Sequence, residues 1–401
     1  MQLEPGAGSH LTYCTNIHPS EGWPEVREIL RRRLPAVKAR VCAEDDFGVG
    51  LRLAASAATA LEQPAAVDEL EGILRDGGLY VFTINGFPYG VFHGVPVKTD
   101  VYRPDWLEDE RLHYTNSLAD LLARLLPDDP ALEGSISTVP GAFKPRVTGA
   151  EARERIASQI VRHAAHLHRL GEETGRTIAL ALEPEPCCFL ETIAETVTFF
   201  QDHLFSIGAA QQMAAETGLG SGDAEDALRR HIGVCFDACH AAVEFESPST
   251  AIGDLRRAGI RIAKLQLSAG LRIADMTPEK AVSLRRFNDD VYLHQVVERR
   301  GDDLIRYLDL PEAFDNLNHA EPGREWRVHF HVPIFLDQLG EFSSTQEFLR
   351  ELLTLHRQEP ISQHLEVETY TWDVLPEEYR GEEVEAAIAR ELDWVRTILS
   401  P

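Results

Sequence analysis

Positive charge is what this sequence has least of. Its 39 lysines and arginines stand against 65 aspartates and glutamates, a balance of 39 − 65 = −26. A surface this acidic repels phosphate backbones and anionic lipid unless a local basic patch overrides it. The densest cationic run, Arg31-Arg32-Arg33, falls in a helix-patterned segment and reads as a solvated face, so nucleic acid is not an expected partner. Long apolar runs are missing too. No window approaches the ~18–20 residues that a membrane span needs, and MQLEPGAGSHLTYC has neither the charged nor the apolar region of a signal peptide. Among the six cysteines (14, 42, 187, 188, 235 and 239) there is no CxxC pair. A disulfide framework is therefore not expected, and a reducing, cytoplasmic setting fits. No low-complexity tract or Pro/Gly-rich linker divides the chain, so residues 1–401 are expected to form one domain.

What is present is alternation. Short apolar runs fall at 11–17, 48–53, 79–84, 134–139, 177–183, 232–237, 262–267, 327–332 and 365–370. Near-continuous apolar runs mark strands covered on both faces. Between them lie amphipathic segments at 23–41, 151–175 and 344–358. The clearest keeps Ile156, Ile160, Ala164, Leu167 and Leu170 at three-to-four spacing and ends at Gly175. Strand–helix alternation of this length predicts a (β/α)8 barrel. Nine strand candidates are one too many. The surplus surrounds a polar segment, 271–326, which reads as an insertion between late strands, so 262–267 and 327–332 belong to one barrel step. Its Arg-rich part, 284–310, is a candidate lid or homodimer contact, with His294 on a helical surface.

In such a barrel the C-terminal ends of the strands face the active-site mouth. Here they carry polar groups with regularity: Glu183 and Glu185, Asp237 and His240, Gln266 with Arg272 beyond, and His329 and His331 two apart. Glu366 and Glu368 repeat the two-residue spacing, which places each such pair on one strand face. Earlier ends supply Asn16, His18, Arg52 and Asn85. In HIGVCFDACH (231–240) three readings compete: a zinc cluster, a nucleophile's turn, or a buried strand with a polar end. The lack of a CxxC partner and of a nucleophile-elbow pattern disfavours the first two. Bland readings stand beside the functional ones: Asp237 as a helix cap, Cys235 and Cys239 as small buried hydrophobes, and Arg52 paired with a structural carboxylate rather than anchoring an anion. Carboxylates, imidazoles and an amide suit a divalent metal such as Mn, Zn, Co or Mg. Such an ion polarises a carbonyl or hydroxyl while a carboxylate moves a proton. Glu183 and Glu368, expected across the mouth from each other, suit two-sided proton transfer.

The set LEP, FDxCH, QLSxxxxR and ExETY resembles the xylose-isomerase-like TIM barrels, which include sugar-phosphate isomerases, ketose 3-epimerases and endonuclease IV. In the epimerase branch Glu, Asp, His and Glu from late strands bind one metal, both Glu residues act as acid and base, and an Arg holds the substrate. The resemblance implies Glu183 and Glu368 as catalytic pair and metal ligands, Asp237 as metal ligand, and His240 and Arg272 as substrate contacts. Asn85, Arg52 and His18 complete the candidate substrate-binding set. Gln266 occupies the position of the family's metal-binding His, and His329 or His331 is the candidate replacement. The stretches HLTYCTNIHPSEGW, INGFPYGVFHG and VKTDVYRPDW resemble the EboE family of metabolite-traffic proteins. That resemblance implies a secondary-metabolite pathway and no particular reaction. Three functions remain: a metal-dependent isomerase or epimerase of a sugar or other polyhydroxylated metabolite, a metal-dependent phosphoester hydrolase acting on a small molecule, and a non-catalytic carrier.

Overall fold

Eight of the nine apolar runs fold as the staves of one parallel sheet. In the computed structural model, which describes residues 1–3, 8–317 and 323–400, these are β1 (His10–Tyr13), β2 (Phe47–Arg52), β3 (Leu79–Asn85) and β4 (Gly134–Thr138). They continue as β5 (Ile178–Leu182), β6 (Ile232–Asp237), β7 (Arg261–Leu267) and β8 (His364–Val367). The sheet runs β1-β8-β7-β6-β5-β4-β3-β2. Only an isolated parallel bridge, Cys14 to Gly50, joins β1 to β2 in backbone pairing. Thr12 completes the seam: its hydroxyl donates to the Gly48 carbonyl (2.7 Å) and accepts from the Gly50 amide (3.1 Å). Glycine is required at position 50 because a Cβ there would lie 1.9 Å from Glu366 Oε2. The result is a (β/α)8 barrel.

The outer helices follow the sequence pattern. Residues Gly149–Thr174 form a helix that buries Ile156, Ile160, Ala164 and Leu167, and Gly175 closes it at φ +70 in the left-handed region that favours glycine. The segment from Trp23 to Val41 is helical throughout, with one π turn at Ile29–Arg33, and Gln346–Gln358 is helical as expected.

The run at 327–332 is not a barrel strand. Between β7 and β8 the chain builds a second, antiparallel sheet in the order Asp303–Tyr307, Val296–Arg300, Arg324–Val328, Leu271–Ile273, Phe342–Ser344, Gln338–Leu339. The insertion thus begins where expected but runs on to Ser344, and its residues 318–322 lie outside the described residues. It is not helical around His294, which is buried and paired with Asp289 (2.8 Å). Val297 packs on Cys239 and Val243, seating this sheet on the short helix Ala238–Val243 that follows β6. No helix among the described residues is long and apolar enough to cross a membrane. All six cysteines are unpaired thiols.

Candidate active site

The barrel core sets the floor of the site. Lys264, Gln266 and Glu366 point inward from β7 and β8 and are fully buried. Lys264 Nζ lies 2.7 Å from Glu366 Oε1, which also accepts from Gln266 Nε2 (3.1 Å). Burial opposes the Lys264 charge, yet Glu366 and its neighbours outweigh that and raise its pKa. Gln266 is therefore committed to Glu366, and the structure does not bring it into the cluster of carboxylates above. An imidazole of the insertion, that of His331, groups with Asp237 and His240.

That cluster lies at the strand ends. Glu183 follows β5, its amide held by the Thr138 carbonyl (3.1 Å). Asp237 ends β6 and caps the next helix: its Oδ1 accepts from the His240 amide (2.8 Å) and the Ser268 hydroxyl (2.7 Å). The capping reading is correct, and it leaves Oδ2 over. Glu368 follows β8, and its Oε1 accepts from Asn16 Nδ2 (2.6 Å) and Asn85 Nδ2 (3.2 Å). One oxygen from each of Glu183, Asp237 and Glu368 lies within 4.8 Å of the other two. Glu183 and Glu368 thus bring one oxygen each within 4.8 Å of the other. Glu183 Oε2 and Asp237 Oδ2 are buried with no hydrogen-bond partner among the described residues. Burial, then the neighbouring charges of Glu368 and Asp237, pushes the Glu183 pKa well up, and burial raises Glu368 as well.

Three imidazoles meet beside the carboxylates. His240 Nδ1 donates to the Pro184 carbonyl (2.9 Å), and His331 Nδ1 to the Glu368 carbonyl (3.0 Å). His329 Nδ1 lies 2.9 Å from Gln295 Oε1, while the amide nitrogen of that glutamine faces Tyr102, Glu185 and the Pro186 carbonyl. Each Nδ1 thus carries its proton outward, which turns the unprotonated Nε2 atoms inward. They stand 3.1 Å apart for His240 and His329, and 3.3 Å for His329 and His331. Burial lowers the His240 pKa to about 4 and drives His329 well below its ordinary value, which disfavours the charged form of both rings. A tetrahedral ion bound at about 2.0–2.1 Å needs a nitrogen–nitrogen edge of about 3.3–3.4 Å. The donors present fit a divalent cation. Asp237, His240 and His331 also group within 4.8 Å, as do Cys239, His329 and His331. His240 belongs to the imidazole cluster and also lines the cleft above it, and the two insertion histidines lie just past the Arg324–Val328 strand, not on it.

Above these groups opens a narrow cleft. Phe87, Phe92, Tyr102, Tyr292 and Tyr370 wall it, with Asn16, Asn85, Glu183, Glu185, His240, Gln295, His329 and Glu368 at its polar end. No lysine or arginine lines it among the described residues. Asn85 is the one expected substrate contact from an early strand that reaches it. Arg52 is buried elsewhere, held by Glu21 (3.3 Å) and the carbonyls of Ser20 and Gly90. His18 bonds to the Tyr13 hydroxyl (3.1 Å). Arg272 lies on the insertion sheet, its Nε 2.9 Å from Glu325. Sequence reasoning missed Gln295, Tyr102, Tyr292 and Tyr370, which come from the loop after β3, the insertion and the segment after β8. It singled out Glu185 without a role, although Tyr102 donates to it at 2.7 Å and burial raises its pKa to about 8.

No protein-family model and no curated protein matches the sequence. Solved structures do resemble it. One is the IOLI protein with a binding zinc atom (TM-score 0.44, 12% identity, 97% of each chain covered). Another is a D-tagatose 3-epimerase-like protein (0.46, 11%, 97% of each chain). A third is a xylose isomerase domain protein from Planctomyces limnophilus (0.44, 12%, 88% of each chain).

Proposed function

We propose that the chain is a metal-dependent isomerase or epimerase of a sugar or other polyhydroxylated small metabolite. The observation that carries this reading is the meeting of Glu183, Asp237 and Glu368 at one point, with two buried oxygens left over. Glu183, Asp237, Glu368 and the imidazoles of His240, His329 and His331 would hold the ion, identity Mn, Zn, Co or Mg. Bound there, it polarises a substrate carbonyl or hydroxyl. Glu183 and Glu368 act as the acid–base pair: one takes a proton from carbon or oxygen and the other returns one. Asn16 and Asn85 hold Glu368 in register for that transfer. A cleft lined by no lysine or arginine among the described residues favours an uncharged ligand, and its amides, phenols and aromatic walls suit hydroxyl groups on an apolar frame. The resemblance of the N-terminal stretches to EboE proteins supports a substrate from a secondary-metabolite pathway.

The test is elemental analysis of stripped and reloaded protein, with a panel of neutral ketoses scored for deuterium uptake from solvent. Uptake that depends on the ion and is lost in Glu183→Ala and Glu368→Gln is expected. Failure to bind any divalent ion, with Glu183→Ala changing nothing, would sink the reading. One observation favours a second reading, hydrolysis of a small phosphoester: Asp237 belongs to both a carboxylate and an imidazole group, as in sites that hold more than one ion. More than one ion per chain would favour it.

A further inference from the structure

The geometry points to a second binding site, for a phosphate group, at Arg272, Arg299 and Arg327, on the side of the insertion sheet that faces the helix Ala238–Val243. No cationic patch is legible in the sequence; strand register assembles one. Arg327 pairs with Arg272 on one side and with Val297 on the other, while Glu325 pairs with Arg299. Residues two apart on a strand share a face, so all three guanidiniums and the Glu325 carboxylate stand together. Arg272 Nε (2.9 Å), Arg327 Nε (2.9 Å) and Arg299 Nη2 (2.7 Å) all donate to Glu325. Three cations on one anion leave a local surplus of 3 − 1 = 2 positive charges, in a chain whose net charge is −26.

The surplus is held, not diffuse. Arg299 and Arg327 lie over the Phe245 ring at 4.5 and 4.0 Å, which fixes their planes. Arg327 Nη1 is tied to the Ala242 carbonyl (2.6 Å). Neither terminal nitrogen of Arg272 has a hydrogen-bond partner among the described residues, and Arg299 uses one of its two. Their side chains are 33% and 41% exposed, so these donors reach solvent. Neighbouring forks with free N–H groups match the oxygens of a phosphate, which takes paired N–H bonds from each guanidinium. A polyanion is a poorer fit, because the acidic surface around so small a patch repels it. The site is separate from the cleft, yet Arg327 precedes His329 by two residues and holds the helix that carries His240.

Calorimetric titration of the metal-loaded full chain with inorganic phosphate, and in parallel with glycerol 3-phosphate, at ionic strength fixed by chloride, tests this. One saturable phosphate per chain is expected, weakened about tenfold or more in R272A/R299A and less in R272K/R299K, which keeps the charge but not the fork. Equal binding of the two ligands assigns the site to phosphate esters, and tighter binding of inorganic phosphate assigns it to the free ion. Absence of saturable binding overturns the proposal, as does unchanged binding in both double variants, which would put the phosphate elsewhere.

Discussion

The floor and the mouth of this barrel hold similar groups under opposite terms. At the floor, Glu366 is buried with Lys264 at 2.7 Å and Gln266 at 3.1 Å, so the chain supplies its own cation. At the mouth, Glu183, Asp237 and Glu368 converge beside three imidazoles, and no lysine or arginine among the described residues lines the cleft. Buried charge is tolerated when paired and costly when not. The floor is complete as a polypeptide, whereas the mouth leaves Glu183 Oε2 and Asp237 Oδ2 buried without a hydrogen-bond partner among the described residues, as the proposed ion would require.

The largest effect that would break this contrast is at Lys264. Lys264→Met leaves the Glu366 carboxylate buried without its cation, a loss of about 3–5 kcal/mol, to be measured by urea unfolding. Glu183→Gln in metal-free protein should instead leave stability unchanged or raise it, because burial and its carboxylate neighbours already disfavour the charged form. Equal losses at the two positions would erase the distinction between floor and mouth.

The next effect is on pH dependence. Burial raises Glu185 and Glu244 to about 8 and Glu391 to about 7, against an ordinary value of 4.5. Such a group keeps its proton in the fold and loses it on unfolding, so its contribution is full below 4.5 and is lost as pH rises toward 8. Each carboxyl contributes at most about 1.4 kcal/mol per pH unit within that window. Buried imidazoles such as His231 and His364, lowered to about 4 and 3, act in the opposite direction below 6.5, so the carboxyl contribution is isolated in a variant: metal-free Glu391→Gln should gain melting temperature relative to the unaltered chain as pH rises from 5 to 8. Added metal should raise the melting temperature more at pH 8 than at pH 5, since its ligands must shed protons to bind it. Parallel pH profiles for Glu391→Gln and the unaltered chain would contradict the carboxyl assignment.

How much of this contrast was legible in the sequence depended on what each region packs against. Barrel strands are covered on both faces, so LYVFTI and IGVCFD announce themselves as apolar runs. The hairpin from Val296 to Tyr307 does not, because both of its faces carry charge: Arg299 turns to Glu325, while Glu298 turns to the Trp326 indole (2.5 Å). Its period of two is hidden, and His294 is misread as helical surface. Asp237 and Glu368 are visible as strand-end carboxylates. Gln266 is indistinguishable in sequence from a ligand, since only the side chain of Glu366 beneath it shows where its amide is spent. Arg272 is likewise visible as a candidate substrate contact, but the register of the insertion sheet, not its distance from Gln266, decides which surface it serves.

Gln295 gives the smallest effect and the finest test of the mouth. Nothing in LHQVV marks it, yet its Oε1 accepts from His329 Nδ1 and so fixes which nitrogen of that ring faces inward. Outer partners of metal-binding imidazoles typically set 10–100-fold in affinity, about 1.4–2.7 kcal/mol. Gln295→Leu should weaken divalent-metal binding by about that factor, read by competition with a chelating dye. Gln295→Glu, which restores an acceptor, should recover most of it. If Gln295→Leu binds metal as the unaltered chain does, His329 does not face the ion. The imidazoles would then be a packed feature like the floor, and the asymmetry between the two ends would rest on the carboxylates alone.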